Sequence, residues 1–563
     1  MPEEKKDSTL VDKIIKRQKV LEDIRRPYES IWDEVSYFGC SRRPGFENWD
    51  EQVKKHGTRI YDGTPAAALN LYVDGILGYY ISSALDWFNY RIGGYHLKHL
   101  NEDKDVRIWT QEMREAVYWE LNESNFYDAI REVLLDDASI GNANFFIDEN
   151  MSDQSIDFIV RHPRELYFIT DSKGEVIGIH RKFRLNARQA VEDFGKEKAS
   201  VTIENSYEQD NMDRKFEYIQ AIYPINDYIP KTFDKEIGKR RKFHQFVSYY
   251  IEVAGKNLVK RGGYRTLNPI IWRMRKYSDE PYGRGLLGDS ISEVKRLNSA
   301  SKTQMQVAQL SAEPPLNIPF EMKDDVDMSP HGPNYYRDAG RIVQPIPTGI
   351  NYPVTEDYIN RLQQAIERHF QVEFFLMLSR AEKVMTATEI IEKQGEKVAL
   401  MSSQLSKMSK RLDDTHNRVL NIMYNQGKLP PIPEKLLVAT GGFFEIDVDY
   451  IGPLPEAQKR LFKARGIRQS LEVALPYVEV IPGIMDVLKG QGSEIGRELF
   501  LSHGMPAKVM NTKEEVAAIQ KQEAEIAKQQ FEMEMAEKEA KIVKSYGKEV
   551  EQGSVIDKLE NEV

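Results

Sequence analysis

The sequence predicts an α+β fold that is mainly helical, and three observations support this prediction. A helical hairpin with long apolar stripes spans residues 355–426 and is pinched at 379–386. Apolar segments bounded by turn residues make the region from about 144 to 271 β-rich. A proline- and glycine-rich insertion at 316–354 separates two long helical patterns. The 563 residues suffice for several cores or for one elongated subunit with several parts.

The N-terminal region is predicted to be helical because its apolar residues recur at helical spacing. Helices are predicted at 8–38 with an interruption at Pro27, at 65–84, at 104–121 and at 124–140, the last ending at Gly141. Strands are predicted at 144–148, 155–161, 165–170, 175–185, 216–223 and 243–253. Farther along the chain, helices are predicted at 289–311, 456–475 and 493–503. Helical segments therefore flank the β-rich region on both sides in the sequence.

The two arms of the helical hairpin carry different signals. The first opens with Thr355-Glu356-Asp357, which suits an N-cap. The second opens with a capping box between Thr386 and Glu389 and ends before Gly427. Its apolar residues recur every seven positions, at Ile391, Val398, Leu405, Leu412 and Val419. Such a seam predicts packing against another helix along its whole length, either within one elongated monomer or beside copies in a ring or bundle.

A second rod is predicted near the C-terminus. It begins with a capping box at Thr512–Glu515 and carries Ile519, Ile526, Met533 and Ala540 at the same seven-residue spacing. Its other faces are rich in Glu, Lys, Gln and Ala, so we expect this helix to pair with copies of itself. The residues after Gly547 are expected to be disordered.

Composition narrows the classes of function. No apolar run approaches the roughly eighteen residues of a membrane span, and the charged N-terminus predicts no secretory signal. The single cysteine, Cys40, permits neither an internal disulfide nor a cysteine-based zinc site, and a reducing cytoplasm is expected. The net charge of −10 argues against tight, general nucleic-acid binding. It leaves room for a protein past which nucleic acid slides.

The search for reactive sites predicts no catalytic, cofactor-binding or metal-binding residues. There is no P-loop, no H-E-x-x-H, no CxxC and no G-x-S-x-G. Gly283, Gly285 and Gly288 spell G-x-G-x-x-G, but no βαβ alternation surrounds them, so we expect close packing at the start of a helix. The acidic pairs Asp136-Asp137 and Asp324-Asp325 are interpreted as surface residues. The basic cluster Lys239, Arg240, Arg241 and Lys242 is either a solvated loop or a phosphate contact.

Short motifs in a fixed order carry a family resemblance over nearly the whole chain. They are Tyr61-Asp-Gly-Thr64, Leu85-Asp-Trp-Phe88, Ser124-Asn-Phe-Tyr127, Arg273-Met-Arg275 with Tyr282-Gly-Arg-Gly285, Pro314-Pro-Leu316, Met385-Thr-Ala-Thr-Glu389, Gly452-Pro-Leu-Pro-Glu-Ala-Gln458, and Gly504-Met-Pro506 leading to Thr512–Val516. In this order they resemble the portal, or head-to-tail connector, proteins of short-tailed bacteriophages. Each motif is weak by itself, and their shared order makes the match specific.

The resemblance implies a non-enzymatic portal fold without cofactors, assembled as a twelve-subunit ring. Its parts would be a wing at 1–288 returning at 428–510, stem helices at 289–312 and 355–378, a clip at 313–354, a tunnel loop at 379–386, a long heptad helix at 387–427, and a crown or barrel helix with a disordered tail at 511–563. The ring would lie at one capsid vertex of the virion, after assembly in the bacterial host cytoplasm. Double-stranded DNA would pass through its channel during packaging and ejection.

The resemblance also implies partners and DNA-facing residues. The partners would be the terminase large subunit, then the tail adaptor and nozzle proteins, with the major capsid, scaffolding and internal core proteins, and no membrane. The tunnel loop would present Ser379, Arg380, Lys383 and Met385 to the DNA. Two other hypotheses remain. A cytoplasmic coiled-coil scaffold explains both heptad seams, and a nucleotide-dependent enzyme would rest on the three glycines.

Overall fold

The computed structural model describes residues 4–39, 46, 60–150, 152–209, 211–234, 237, 244–278, 280–312, 316–317, 344–345, 352–379 and 387–452, with single residues between 516 and 538. The chain forms two compact units. The first comprises Met1–Arg91, Trp109–Ile432 and Ile446–Pro455; the second comprises Ile92–Ile108, Pro433–Glu445 and Glu456–Val563. The observed fold is α+β and mainly helical, which confirms the predicted class.

The helices follow the apolar periodicity of the sequence. They are α1 (Glu4–Gly39), α2 (Thr64–Tyr79), α3 (Lys104–Glu123), α4 (Phe126–Ser139), α5 (Ala187–Phe194), α6 (Val201–Glu208), α7 (Tyr228–Phe233), α8 (Leu286–Asp289), α9 (Ile291–Ala312), α10 (Tyr352–His369), α11 (Val372–Ser379), α12 (Ala387–Asn425) and α13 (Glu434–Thr440). The helices predicted at 8–38, 65–84, 104–121, 124–140 and 289–311 are present, whereas α5, α6 and α7 were not predicted.

The strands are short and belong to four sheets. They are β1 (Phe88–Ile92), β2 (Asn142–Glu149), β3 (Ile156–Ile159), β4 (Leu166–Thr170), β5 (Val176–Asn186), β6 (Lys215–Pro224), β7 (Phe246–Glu252), β8 (Asn257–Tyr264), β9 (Ile270–Arg273), β10 (Leu316–Asn317), β11 (Gln344–Pro345) and β12 (Ile446–Tyr450). The sheet orders are β4-β5-β6-β7-β8, β3-β2-β9, β1-β12 and β10-β11. The six strands predicted between 144 and 253 correspond to β2 to β7, whereas β1, β8 and β9 were not predicted.

The five-stranded sheet is an antiparallel meander with helices on both faces. Its pairing register places His180 opposite Tyr167 and Ala221. On one face, α1 packs Leu10, Ile14 and Leu21 against the sheet. On the other face, α5 and α6 cover a cluster that includes Phe183 and Tyr218. Adjacent residues of one strand thus serve two different cores, as the two-residue period of a strand requires.

Three sequence predictions about helix continuity are wrong. The helix α1 continues through Pro27, because buried residues on both sides of it, Leu21 and Trp32, anchor the two halves. The hairpin's first arm begins at Tyr352 rather than at an N-cap on Thr355. It is also two helices, since Gln371 has a φ of 55° and separates α10 from α11. An α-helix requires negative φ angles, so the chain cannot remain α-helical through a residue whose φ is positive.

The apolar seam of α12 has partners different from those predicted. Leu405, Leu412 and Val419 are buried, as their spacing indicates. However, the helix contacts β2, β9 and β12 as well as the short α11, so packing against another helix along its whole length is wrong for the described side chains. A seven-residue repeat reports a buried stripe, and strands can bury that stripe as well as helices can. Gly427, with a φ of 70°, follows the end of α12 as predicted.

Contacts within the second unit join 92–108 to α13 and the residues after it. The Gly93 N–H donates to the Glu445 carbonyl (2.8 Å), and Lys435 Nζ lies 3.1 Å from Asp103 Oδ2. The described residues between 516 and 538 are helical, and Ile519, Ile526 and Met533 are exposed there. The predicted helices at 456–475 and 493–503 lie outside the described residues, as does the cap at Thr386.

Candidate functional site

The first motif, Tyr61-Asp-Gly-Thr64, joins the start of α2 to the two long helices α9 and α10. The Asp62 carboxylate accepts hydrogen bonds from Thr64 N (2.8 Å), Gln363 Nε2 (3.0 Å) and Ser301 Oγ (3.3 Å). The Tyr61 N–H donates to Asn298 Oδ1 (2.8 Å). Burial opposes ionisation of Asp62, but these hydrogen bonds outweigh it and lower the pKa of the carboxyl. One ionised aspartate therefore holds three helices in register.

The second motif supplies an aromatic anchor for α12. Trp87 and Phe88 are fully buried, and their backbone N–H groups donate to the Tyr118 hydroxyl at 2.5 and 3.0 Å. The imidazole of His416 on α12 lies 4.4 Å from the Phe88 ring, and its Nδ1 is 2.8 Å from the Tyr90 hydroxyl. Burial lowers the pKa of His416 to about 3, so the ring is neutral at physiological pH. The motif thus fixes α12 against β1 and α3.

The third motif joins the loop between α3 and α4 to the end of β3. The Asn125 side chain donates to the Phe158 carbonyl (2.8 Å) and accepts from the Phe158 N–H (3.1 Å). Phe126 beside it is buried and packs 5.2 Å from the Phe158 ring. The Asn125 side-chain amide thus makes the two backbone hydrogen bonds with Phe158 that a neighbouring strand would otherwise make.

The glycine-rich motif before α8 crosses directly over the end of α4. A Cβ on Gly285 would lie 2.3 Å from the Ser139 carbonyl oxygen, and one on Gly283 would lie 2.5 Å from the Gly141 carbonyl oxygen. Gly141 itself has a φ of 87°. Asn142 completes the crossing, accepting from the Gly283 N–H (2.8 Å) and donating to its carbonyl (3.0 Å). Main chain fills the space that a pyrophosphate would need, so the prediction of close packing is confirmed.

Arginines tie the same segment to its surroundings. The Arg273 guanidinium donates to the carbonyls of Gly174 (3.0 Å) and Pro281 (3.2 Å) and pairs with Glu175 (3.2 Å). Arg275 at the end of β9 pairs with Asp289 at the end of α8. These contacts hold the base of α9 on the sheet formed by β2, β3 and β9.

The prediction that the acidic pair on α4, Asp136-Asp137, lies on the surface is wrong. Asp136 is fully buried and Asp137 is half-buried, so neither side chain is fully exposed to solvent. Burial raises the pKa of Asp137 to about 7, outweighing the opposing effect of Arg411, and the nearby Asp136 raises it further. Nothing in the local sequence distinguishes this pair from a solvated one, because its partners come from α12 and β9.

The structure leaves the predicted DNA-facing residues untested. Ser379 is the last residue of α11, and Arg380, Lys383 and Met385 lie outside the described residues. So do the basic cluster Lys239, Arg240, Arg241 and Lys242, and the acidic pair Asp324-Asp325. Within the described ranges, no three acids, histidines or cysteines converge as a metal site would require. No helix in those ranges is both long and apolar enough to span a membrane.

Comparison with known proteins agrees with the motifs. The sequence model of a family described as "Bacteriophage head to tail connecting protein" matches residues 11–510. The chain is 24% identical over 451 residues to the probable portal protein of Bordetella phage BPP-1, covering 78% of each chain. It is 23% identical over 468 residues to the portal protein of Salmonella phage epsilon15, covering 80% of each. The predicted resemblance is confirmed, and this chain belongs to the bacteriophage head to tail connecting protein family.

Proposed function

We propose that the chain closes into a ring of twelve copies at one capsid vertex of the virion, with a channel for packaging and ejecting double-stranded DNA. The family assignment supports a head-to-tail connector, and the geometry of α9 supports a ring. Heterologous contacts between identical subunits close into rings when their rotation divides a full turn. The chain contributes architecture rather than catalysis in this proposal.

The exposure of α9 is the observation that carries the proposal. Beyond Leu297, no side chain of this helix through Leu310 is buried. Met305 and Leu310 are 44% and 40% exposed although both are apolar. A long helix gains most of its stability from packing apolar side chains, so this exposed side is suited to packing against a neighbour. Adjacent subunits of a ring would supply that neighbour.

The parts of the subunit take the roles that the family resemblance implies. The wing would comprise 1–288 and 428–510, and α9 with α10 and α11 would form the stem. The clip at 313–354 would dock the terminase large subunit and later the tail adaptor, with capsid and scaffolding proteins around the wing. The two-residue strands β10 and β11 pair within this segment, with Leu316 opposite Pro345. The helix after Thr512 would form the crown.

The net negative charge of the chain is compatible with a channel through which DNA slides. Twelve chains of −10 each would carry about −120, so phosphates would be repelled overall rather than held. Ser379, Arg380, Lys383 and Met385 would line the tunnel loop at 379–386. The two cations there would form basic rings that guide DNA without retaining it.

Electron microscopy of the purified protein tests this function. We expect closed rings whose axial hole is as wide as duplex DNA. Native mass spectrometry on the same sample should give a mass of twelve chains. A mass of two or three chains, together with elongated rods, would contradict the ring and favour the coiled-coil scaffold.

A further inference from the structure

A cavity of about 190 Å³ opens in the first unit between α4, α12 and the end of β9. It adjoins the glycine crossing, because Ala138 and Arg273 line the cavity and also lie beside Gly285 and Gly283. The residues that line it include Asp137, Trp272, Arg273, Lys407, Lys410 and Arg411. A tetrahedral oxyanion occupies the space of a few water molecules, each about 30 Å³, so the cavity can hold one with water to spare.

The lining of the cavity is strongly basic. Lys276, Arg273, Lys407, Lys410 and Arg411 contribute five cations, against the two carboxylates of Asp137 and Glu175. Glu175 is already engaged by Arg273 (3.2 Å) and Lys276 (3.8 Å). Lys407 and Lys410 are exposed and make no ion pair with any residue that the structure describes, whereas Arg411 lies 3.9 Å from Asp414 Oδ2. Positive charge gathered in a concave, partly buried place attracts an anion more strongly than the same charge spread over a surface.

Two buried donors in the lining have no acceptor. Trp272 is 2% exposed, and its indole Nε1 has no hydrogen-bond partner among the described residues. Arg273 is also buried, and its Nε has no hydrogen-bond partner in the described part of the chain, although the rest of its guanidinium is bound. Leaving a buried donor unpaired is unfavourable, so such groups mark places where a ligand or water belongs. Both donors favour a ligand with several acceptor oxygens.

We propose that this cavity binds a phosphate-sized oxyanion, present either as free phosphate or as the phosphate group of a nucleotide. Lys407 and Arg411 on successive turns of α12 would provide the charge, and the indole N–H of Trp272 would complete the shell. Charge-assisted hydrogen bonds to phosphate are shorter and stronger than neutral ones. The proposal does not depend on ring formation.

Asp137 would make the affinity of the cavity for an oxyanion depend on pH. Its Oδ1 is buried and accepts no hydrogen bond from the described residues, and burial raises its pKa to about 7. The charged and titratable groups facing it are Asp136, Arg411, Lys407 and the Tyr72 phenol. An ionised carboxylate repels an oxyanion, whereas a protonated one can donate to it. Affinity should therefore rise as pH falls through about 7 and decline above it.

Calorimetric titration of the full chain with sulfate at constant ionic strength tests the proposal. Sulfate keeps its charge near neutral pH, so any pH dependence of its affinity reports on the protein. We expect saturable binding that weakens about tenfold or more in Lys407→Gln/Arg411→Gln, since a charged hydrogen bond is lost. Lys198→Gln, a lysine exposed on another part of the first unit, is the matched control and should bind as wild type does.

A second variant, Asp137→Asn, is expected to strengthen sulfate binding rather than weaken it. It should bind sulfate more tightly at high pH and show a flat pH profile. Parallel titrations with inorganic phosphate and a nucleoside monophosphate then identify the source: tighter binding of the nucleotide assigns a nucleotide, and equal or weaker binding assigns free phosphate. Absence of saturable sulfate binding by wild type, or equal affinity in Lys407→Gln/Arg411→Gln with an unchanged circular dichroism spectrum, would overturn the proposal.

Discussion

At the scale of single residues, two histidines show how burial sets charge. His180 on β5 has its Nε2 2.5 Å from the Tyr223 hydroxyl and its Nδ1 2.9 Å from Gln18 Oε1. His416 has only the Tyr90 hydroxyl as a partner among the described residues. Burial lowers the pKa of each imidazole from 6.5 to about 3. Both rings are therefore neutral at physiological pH and pack in the interior of the first unit.

These two histidines should make the protein sensitive to mild acid. Below pH 6.5 the unfolded chain binds protons that the folded rings refuse, so stability falls as pH decreases from 6.5 toward 3. Each ring should contribute up to about 1.4 kcal/mol per pH unit in that window. We expect His416→Gln to unfold more easily than wild type at about pH 7 but to lose less stability on going to about pH 5.

Urea unfolding at the two pH values measures this difference. His369→Gln is the matched control, because His369 is exposed at the end of α10. That variant should follow the wild-type dependence on pH. Parallel pH dependences of wild type and His416→Gln would contradict the assignment of a neutral buried ring.

At the scale of elements, the crossing of the segment before α8 over the end of α4 determines how α9 is positioned. The approach of Gly285 to the Ser139 carbonyl leaves no space for a side chain, and that carbonyl is backbone that cannot rotate away. The three interactions of Asp62 then align α9 and α10 beyond the crossing. The family motifs are thus packing devices at element junctions.

Gly285→Ala should destabilise the first unit by about 1–3 kcal/mol, because the new methyl group would force the crossing segments apart. Gly78→Ala is the matched control, since Gly78 is exposed on α2 and a Cβ there meets nothing within 4 Å. That change should stabilise the helix by about 0.5–1 kcal/mol. Thermal unfolding followed by circular dichroism compares the two, and similar melting temperatures for both variants would argue against a tight crossing.

At the scale of the whole molecule, the exposed apolar residues of α9 link the subunit to its proposed assembly. Met305 and Leu310 lie on a part of the helix with no buried side chain. In a ring they would be covered by a neighbouring subunit. A single subunit would then be folded, but it would expose apolar side chains that the ring buries.

Met305→Glu/Leu310→Glu should prevent ring closure while leaving the fold intact, because burying two unpaired carboxylates in the interface is costly. Size-exclusion chromatography with light scattering should show monomers in place of rings. Val201→Glu, which alters a 71% exposed residue on α6, is the control and should still assemble. Rings of normal size from the double variant would place this face of α9 outside the interface.

Much of the fold could be predicted from local signals in the sequence. The ends of α4 and α12 were correct because glycines at 141 and 427 adopt the left-handed conformation that terminates a helix. The strands from β2 to β7 followed from apolar segments between turn residues. The role of Gly283 and Gly285 was inferred from the absence of a βαβ context, and the crossing confirms it.

The sequence by itself determined the family, the long helices and the β-rich middle, because periodicity, caps and motif order are local properties of the chain. Only the tertiary structure decided which partners those elements meet. It placed Asp137 beside Arg411 of α12, buried the seam of α12 against strands, and carried α1 through Pro27. Burial and desolvation depend on residues hundreds of positions apart, and a single sequence does not record such neighbours.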